Sequence, residues 1–246
     1  MHDPDVPAIA LSRKAGLAMR RGLAHMGAMQ RHQSPMIALA ICLAALAGFV
    51  DALAYSSLGG FFAAFMSGNT TRLGVAFAAE RYDEVRMAGA LILSFVAGAM
   101  IATVISRRWS AQPQAAGMAA VAVLLAAAAL LVRLFPESQA LLLLAMAMGA
   151  ECGTGIGVTY MTVTLVRIGQ TLASALMGDS DRWGWLRHLL LWLGFLLGVV
   201  TGGRCHGTWG TGALWLAASA AAMLAFAFAT IGRNARKPEP WGSHAA

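Results

Sequence analysis

The chain has 246 residues, of which 59% are hydrophobic and only 12% are charged, and its formal net charge is +7. A soluble domain carries about 25% charged residues, so this composition excludes an ordinary soluble globular protein. The basic residues cluster at the ends and loops of apolar segments, as the positive-inside rule expects, which argues against nucleic acid as a partner. We therefore expect an integral membrane protein whose main partner is the lipid bilayer.

The N-terminal segment, residues 1–35, is basic and precedes the first long apolar run. If residues 8–31 are helical, most of their arginines lie on one side and most of their leucines and methionines on the other. Such an amphipathic helix is suited to lie on an anionic cytoplasmic leaflet. The alternative is a disordered basic tail that only sets the membrane topology.

Eight apolar segments follow in two groups of four, and a flexible cytoplasmic tail is predicted at residues 232–246. A membrane-spanning helix needs about 20 apolar residues. The sequence therefore predicts an all-α, polytopic transmembrane helix bundle with 6 to 8 membrane segments. Membrane half 1, residues 36–134, holds segments 36–57, 59–79, 87–106 and 115–134, and membrane half 2, residues 135–231, holds segments 138–156, 157–177, 187–203 and 210–231.

The two halves resemble each other. The stretch "FMSGNTTRLG" (65–74) aligns without gaps with "YMTVTLVRIG" (160–169) at an offset of 95 residues, and the following two segments recur at about the same offset. Upstream, Asp51 and Glu151 occupy comparable places in the first segment of each half. The sequence therefore predicts an internal duplication.

The second segment of each half decides the topology. If both cross the membrane, eight segments span and the halves are parallel; if both turn back, six segments span and the halves are inverted. Both arrangements occur among transporters. With a cytoplasmic N-terminus, either one leaves most lysines and arginines on the inner side, so both stay open.

Ionisable residues inside the apolar segments are the first candidates for a functional site. A charged carboxylate such as Asp51 costs roughly 2.5–3.5 kcal/mol inside a membrane helix on insertion scales, so it normally pairs, protonates or faces water. Arg72 is its predicted partner, and Glu151 with Arg167 is the predicted second pair. The alternative to a functional role is a set of static ion bridges that hold the two halves together.

A cluster of polar residues in the second segment is the other candidate: Ser67, Gly68, Asn69, Thr70 and Thr71. Glycine and asparagine form helices poorly, and these polar side chains compete for backbone hydrogen bonds. We therefore expect a local helix break at 67–71 whose freed backbone groups line a cavity. The alternative is hydrogen bonding between helices. The counterpart in half 2, around Thr162, lacks the Gly-Asn pair and is expected to be less broken.

Catalytic and metal-binding patterns are not apparent. Cys42, Cys152 and Cys205 lie far apart and form neither a disulfide framework nor a metal-binding spacing. No nucleophile and base can be assembled, so we expect a protein without enzymatic activity, cofactor or metal. Gly149, Gly153 and Gly157 recur every four residues, which favours close helix packing.

The stretch "GFVDALAYSSLGGFFAAFMSGNTTRLG" (48–74) resembles the signature of the YoaK family of bacterial inner-membrane proteins (domain of unknown function 1275). The stretch "AMGAECGTGIGVTYMTVTLVRIGQTLASALMG" (147–178) resembles its second signature, with Val163 and Cys152 as departures from the family pattern. The resemblance implies a multi-pass bacterial inner (plasma) membrane protein but no substrate. The motif residues carried over by position are Gly48, Asp51, Ala52, Met66, Ser67, Gly68, Asn69, Thr70, Arg72 and Glu151.

These observations favour a small-molecule permease or proton-coupled secondary transporter for an unknown substrate. Asp51 would carry protons, with Glu151 as a second candidate for this role, and Arg72 and Arg167 would balance the carboxylates or attract an anion. The first alternative is a non-transporting structural or regulatory membrane protein, and the second is an intramembrane enzyme acting on a lipid or quinone. Association into a homo-oligomer stays open. The predicted substrate- or ion-binding residues are Asp51, Ser67, Gly68, Asn69, Thr70, Arg72, Glu151, Thr162 and Arg167.

Overall fold

The computed structural model describes residues 36–108, 111–134, 137–154, 161–178 and 182–234. The chain divides into two units, Met1–Leu39 and Ala40–Ala246. Every contact described below lies within the second unit. The predicted amphipathic segment at 8–31 and the tail beyond residue 234 lie outside the described residues.

The described residues are almost entirely α-helical, which confirms the predicted all-α bundle. Six helices have 17 to 27 residues, whereas α2 and α6 have only 13 and 16. The helices are α1 (Met36–Ser57), α2 (Met66–Ala78), α3 (Tyr82–Arg108), α4 (Pro113–Leu131), α5 (Glu137–Gly153), α6 (Met161–Leu176), α7 (Gly184–Trp209) and α8 (Leu214–Asn234).

Hydropathy and length identify the membrane-spanning helices. Four stretches of the described chain qualify: α1, α3, α4 and the continuous run Gly184–Arg233. That run is 50 residues long and contains both α7 and α8, separated by a short 3-10 turn at Gly210–Ala213. Gly210 has a positive φ of 55°, a conformation that suits glycine and ends an α-helix. With α5 as a shorter apolar helix, the molecule is a helical membrane bundle.

Glycines let α1 and α7 approach until backbone touches backbone. A Cβ added at Gly198 would overlap the carbonyl oxygen of Ala45, and a Cβ at Gly48 would overlap that of Phe195. Further along both helices, a Cβ at Gly202 would lie 3.1 Å from the Cβ of Ala52. Residue numbers rise together along the contact, so the two helices are parallel.

The helices α3 and α5 repeat this crossing. A Cβ added at Gly98 would overlap the carbonyl of Met146, one at Gly149 would overlap that of Phe95, and one at Gly153 would lie 2.9 Å from the Cβ of Ala102. Each contact has its counterpart between α1 and α7 about 100 residues away. The first long helix of each half therefore packs against the third helix of the other half, as expected for duplicated halves that interlock.

This crossing also sets the register between the halves. Gly48 corresponds to Gly149 and Ala52 to Gly153, so Asp51 corresponds to Cys152 rather than to Glu151. The predicted equivalence of Asp51 and Glu151 is therefore displaced by one residue. On an α-helix one residue is a rotation of about 100°, and the second half has no carboxylate at the position of Asp51.

Candidate functional site

The chain between α1 and α2, residues 58–65, is not helical and is called the hairpin loop below. It turns through Gly59 and Gly60, whose φ angles of 63° and 89° suit glycine. Backbone groups in such a loop lack the hydrogen bonds of a helix and must find other partners inside a membrane protein. Polar side chains of α1 and α2 provide those partners.

Asp51 of α1 accepts two hydrogen bonds from the hairpin loop. Its Oδ1 receives the backbone N–H of Ala63 at 2.8 Å and that of Ala64 at 2.7 Å. The residue is only 5% exposed. Hydrogen bonds to a charged acceptor are stronger than neutral ones, so this carboxylate ties the loop to the α1 helix.

Asn69 of α2 binds Phe62, the loop residue that precedes Ala63, through both the oxygen and the nitrogen of its side-chain amide. Its Oδ1 accepts the backbone N–H of Phe62 at 3.0 Å, and its Nδ2 donates to the backbone carbonyl of Phe62 at 2.7 Å. The side chain is fully buried. An asparagine amide carries one acceptor and two donor hydrogens, so it can satisfy both backbone groups of one extended residue.

Arg72 of α2 binds the start of the hairpin loop. Its Nη1 donates to the carbonyls of Gly60 and, at 3.2 Å, of Gly59. The guanidinium lies 3.9 Å from the centroid of the Phe61 ring, a cation–π geometry. Its Nη2 lies 3.6 Å from the carboxylate of Glu84 in the first turn of α3.

These contacts establish the direction of α2. The loop meets Asp51 six residues before the end of α1, about 9 Å below that end. Arg72, six residues into α2, touches Gly59 and Gly60 at the end of α1. If α2 ran the opposite way, Arg72 would lie about 18 Å from them, beyond the reach of its side chain. The helix α2 therefore runs back toward the C-terminal end of α1, where the hairpin loop begins.

The predicted Asp51–Arg72 ion pair is wrong. Among the described residues of this half, Arg72 and Arg81 pair with Glu84, and Arg86 pairs with Asp83. All of these pairs lie near the connection between α2 and α3. Asp51 and Arg72 bind the same loop instead, the carboxylate at its N–H groups and the guanidinium at its carbonyls. Each charge meets backbone groups of the opposite polarity.

The predicted helix break at 67–71 is also displaced. These residues form the first turns of α2, and the break precedes them at 58–65. Thr70 and Thr71 donate their hydroxyls to carbonyls of their own helix, at 2.8 and 3.1 Å. Gly68 provides room for aromatic rings: a Cβ there would lie 2.6 Å from Phe65 Cε1.

A cavity of about 580 Å³ lies beside the hairpin loop and is called the Asp51 cavity. Its volume is within the range of small-molecule sites, about 300–1,000 Å³. Its wall is mostly apolar and aromatic, and Asp51 is the charged residue in it. It is lined by Asp51, Ala52, Tyr55, Ser56, Phe62, Ala64, Phe65, Met161, Phe195, Leu196, Val199 and Gly203.

A second cavity of about 280 Å³ adjoins the first and contains Cys152, Phe95, Ser67 and Thr162. Both cavities share Ala64, Phe65 and Met161. Cys152 and Phe95 are the counterparts of Asp51 and Phe195 in the helix crossings, so the two cavities are related by the same repeat. Met66 and Met161, the first residues of α2 and α6, both line the second cavity.

Of the remaining predicted site residues, Thr162 lines the second cavity together with Ala64 and Phe65 of the hairpin loop, whereas Glu151 and Arg167 line neither of the two cavities. Glu151 is 1% exposed on α5 and lies 3.7 Å from the sulfur of Cys152. Arg167 and Thr162 are exposed on α6, which has no buried residue. The pairing of Glu151 with Arg167 stays a prediction. The stretch 155–160, which contains the last glycine of the predicted packing motif, lies outside the described residues.

Sequence reasoning missed the aromatic wall and Glu84. Tyr55, Phe62 and Phe65 are separated by seven and three residues, which in a continuous helix would put them on one face. Tyr55 belongs to α1 and the two phenylalanines to the loop, so helical periodicity does not place their rings. Phe195 comes from a distant helix, and no local pattern connects it to Asp51. Among the described residues, no group of three or more His, Cys, Asp and Glu side chains is arranged to hold a metal ion.

Comparisons with known proteins agree with the bundle. Residues 39–227 match the model of a family described as "Protein of unknown function (DUF1275)". The chain is 36% identical over 216 residues to a UPF0700 transmembrane protein of Rhizobium meliloti (strain 1021), covering 83% of this chain and 91% of that protein. No solved structure matches the chain significantly.

Proposed function

The chain belongs to the DUF1275 family of membrane proteins, and on that premise we propose that it is a secondary transporter of a small molecule, without enzymatic activity, in the bacterial inner membrane. The observation that carries the proposal is the hairpin loop beside the 580 Å³ Asp51 cavity. Non-helical backbone inside a membrane protein is tolerated where it is buried in protein or lines a cavity. Many secondary transporters bind substrate at such interrupted helices.

The arrangement of the halves supports the same proposal. The second helix of each half is short. In half 1 this helix runs back toward the C-terminal end of α1. With α2 and α6 both re-entrant, six helices span and the two halves are inverted. Inverted repeats that meet around a central site allow alternating access by rocking one part against the other. We place the N-terminus in the cytoplasm, because the positive-inside rule then holds.

Asp51 is the proposed coupling residue. It is the charged residue of the cavity wall, and protonation would weaken its bonds to the N–H groups of Ala63 and Ala64. A proton on Asp51 would therefore loosen the hairpin loop from α1. This links the charge state of the cavity to the position of the loop.

A non-transporting structural role is the second candidate, and a specific observation favours it. Asp51, Asn69 and Arg72 are all engaged in holding the hairpin loop, so these residues have a purpose without any substrate. In that case the role of these three residues is to fix the hairpin loop, and with it α2, to α1.

Cysteine accessibility separates the two candidates. Single cysteines would replace Ser56 and Ser67, at the walls of the two cavities, in a chain whose native Cys42, Cys152 and Cys205 are replaced by alanine. A membrane-impermeant maleimide would be applied from either side of oriented vesicles, at two pH values. A transporter should give labelling from both sides, with proportions that change with pH. Labelling from one side only, or from neither, would support the structural role.

A further inference from the structure

We propose that the Asp51 cavity binds a lipophilic organic cation, with the Asp51 carboxylate as counter-ion and the rings of Tyr55, Phe62 and Phe65 as an aromatic wall. This deepens the proposed function, on which it rests, by naming the chemical class of the substrate.

The charge of the wall selects a cation. Asp51 is 5% exposed on the protein surface and faces the cavity. A carboxylate has about four lone-pair sites. The N–H groups of Ala63 and Ala64 occupy two of them on Oδ1, and the N–H of Phe65 also interacts with the carboxylate. The carboxylate therefore keeps acceptor capacity for a ligand. No arginine, lysine or histidine is among the described residues that line this cavity, so an anion would meet repulsion without a counter-charge.

The aromatic side chains select a cation with an apolar body. The rings of Tyr55 and Phe62 lie 5.3 Å apart and tilted by 43°, and those of Phe62 and Phe65 lie 5.2 Å apart and nearly perpendicular. The three rings form one continuous wall of the cavity. Aromatic faces attract cations, and cages of such rings bind quaternary ammonium groups.

The hairpin loop keeps this wall in place. Asn69 holds the backbone of Phe62, and Gly68 allows the ring of Phe65 to lie directly against α2. Apart from Ser56, the rest of the wall is apolar, and half of it comes from α7 through Phe195, Leu196, Val199 and Gly203. A small inorganic cation would find one carboxylate and the hydroxyls of Tyr55 and Ser56 in this wall, too few oxygens for a shell of six or more ligands, whereas a large organic cation would fill the volume.

The test uses purified full-length protein in lipid nanodiscs and radiolabelled tetraphenylphosphonium as the probe. Tetraphenylborate, which has the same shape and the opposite charge, is the reference ligand. Empty nanodiscs supply the lipid background for both ions. We expect saturable binding of the cation above that background and no saturable binding of the anion. Equal binding of both ions, or of neither, would overturn the proposal.

Two variants localise the binding. Asp51→Asn keeps an Oδ1 acceptor for the loop and removes the charge, and we expect it to weaken cation binding by at least about tenfold. Gly203→Leu fills the cavity from α7, where a Cβ meets no atom within 4 Å, and should weaken binding to a similar degree. Gly207→Leu is its matched control, one turn further on, also with open space and outside the cavity wall; it should leave binding unchanged. Binding that survives Gly203→Leu would contradict the location.

The outcomes separate this inference from the proposed function. Access from both sides of the membrane without selective cation binding would retain the transporter and reject the cation. Selective cation binding with access from one side only would retain the site and reject transport.

Discussion

Asn69 and Phe62 form a closed pair: the buried side-chain amide of Asn69 accepts the backbone N–H of Phe62 at 3.0 Å and donates to its carbonyl at 2.7 Å. The two bonds satisfy both the N–H and the carbonyl of Phe62, as a neighbouring β-strand would. Together with Asp51 and Arg72, this pair gives three polar residues of the 48–74 stretch as partners of the backbone of one loop.

Replacing Asn69 by leucine should destabilise the protein strongly. The variant keeps the side-chain size but leaves the N–H and C=O of Phe62 without their partners, at a cost of about 2–4 kcal/mol for the two groups. Thermal unfolding in detergent measures the effect. Thr70→Val is the control on the same helix, because Thr70 is exposed and bonds only to its own helix; its effect should stay within about 0.5 kcal/mol. Equal stability of both variants would contradict the pairing.

Exchanging the charges of Asp51 and Arg72 should not restore stability. An arginine at position 51 cannot accept the N–H groups of Ala63 and Ala64, and an aspartate at position 72 cannot donate to the loop carbonyls. We expect the double variant Asp51→Arg/Arg72→Asp to yield no more folded protein than either single variant, measured by size-exclusion chromatography. Recovery to the wild-type yield would indicate an ion pair after all.

Impermeant labelling should place both ends of the 58–81 segment on one side of the membrane. Cysteines at Ser57 and Tyr82 flank the hairpin loop and α2, and we expect both to react from the same side because α2 turns back. Met177→Cys, between α6 and α7 and 86% exposed in the wild type, should react from the opposite side. Labels on opposite sides for the first two positions would mean that α2 crosses the membrane.

Alanine at the crossing glycines should destabilise the bundle. In an ordinary helix, replacing glycine by alanine gains roughly 0.5–1 kcal/mol, but a Cβ at Gly198 or Gly149 would overlap a carbonyl of the facing helix. We expect a net loss of about 1–3 kcal/mol at either position, measured by thermal unfolding. Gly207→Ala, in open space on α7, should be neutral or stabilising. A gain in stability at Gly198 would show that α1 and α7 are further apart.

Much of the fold could be predicted because it depends on composition along the chain. The long apolar runs predicted the bundle, and the repeat around Met66 and Met161 predicted two related halves. The register was less accurate: Glu151 is adjacent to the true counterpart of Asp51, because the sequence between that position and α6 is shorter in the second half. Only the helix crossings, where each glycine meets a carbonyl, align the halves to the residue.

The candidate site divides in the same way. The sequence by itself determined which polar residues are unusual for a membrane segment: Asp51, Asn69 and Arg72 all proved to have specific partners. Only the tertiary structure decided what those partners are. In place of the predicted ion pair, it shows all three side chains hydrogen-bonded to the backbone of the hairpin loop. The physical reason is that the partners are backbone N–H and C=O groups. Almost every residue carries them, so no side chain in the sequence marks which of them a folded loop will present.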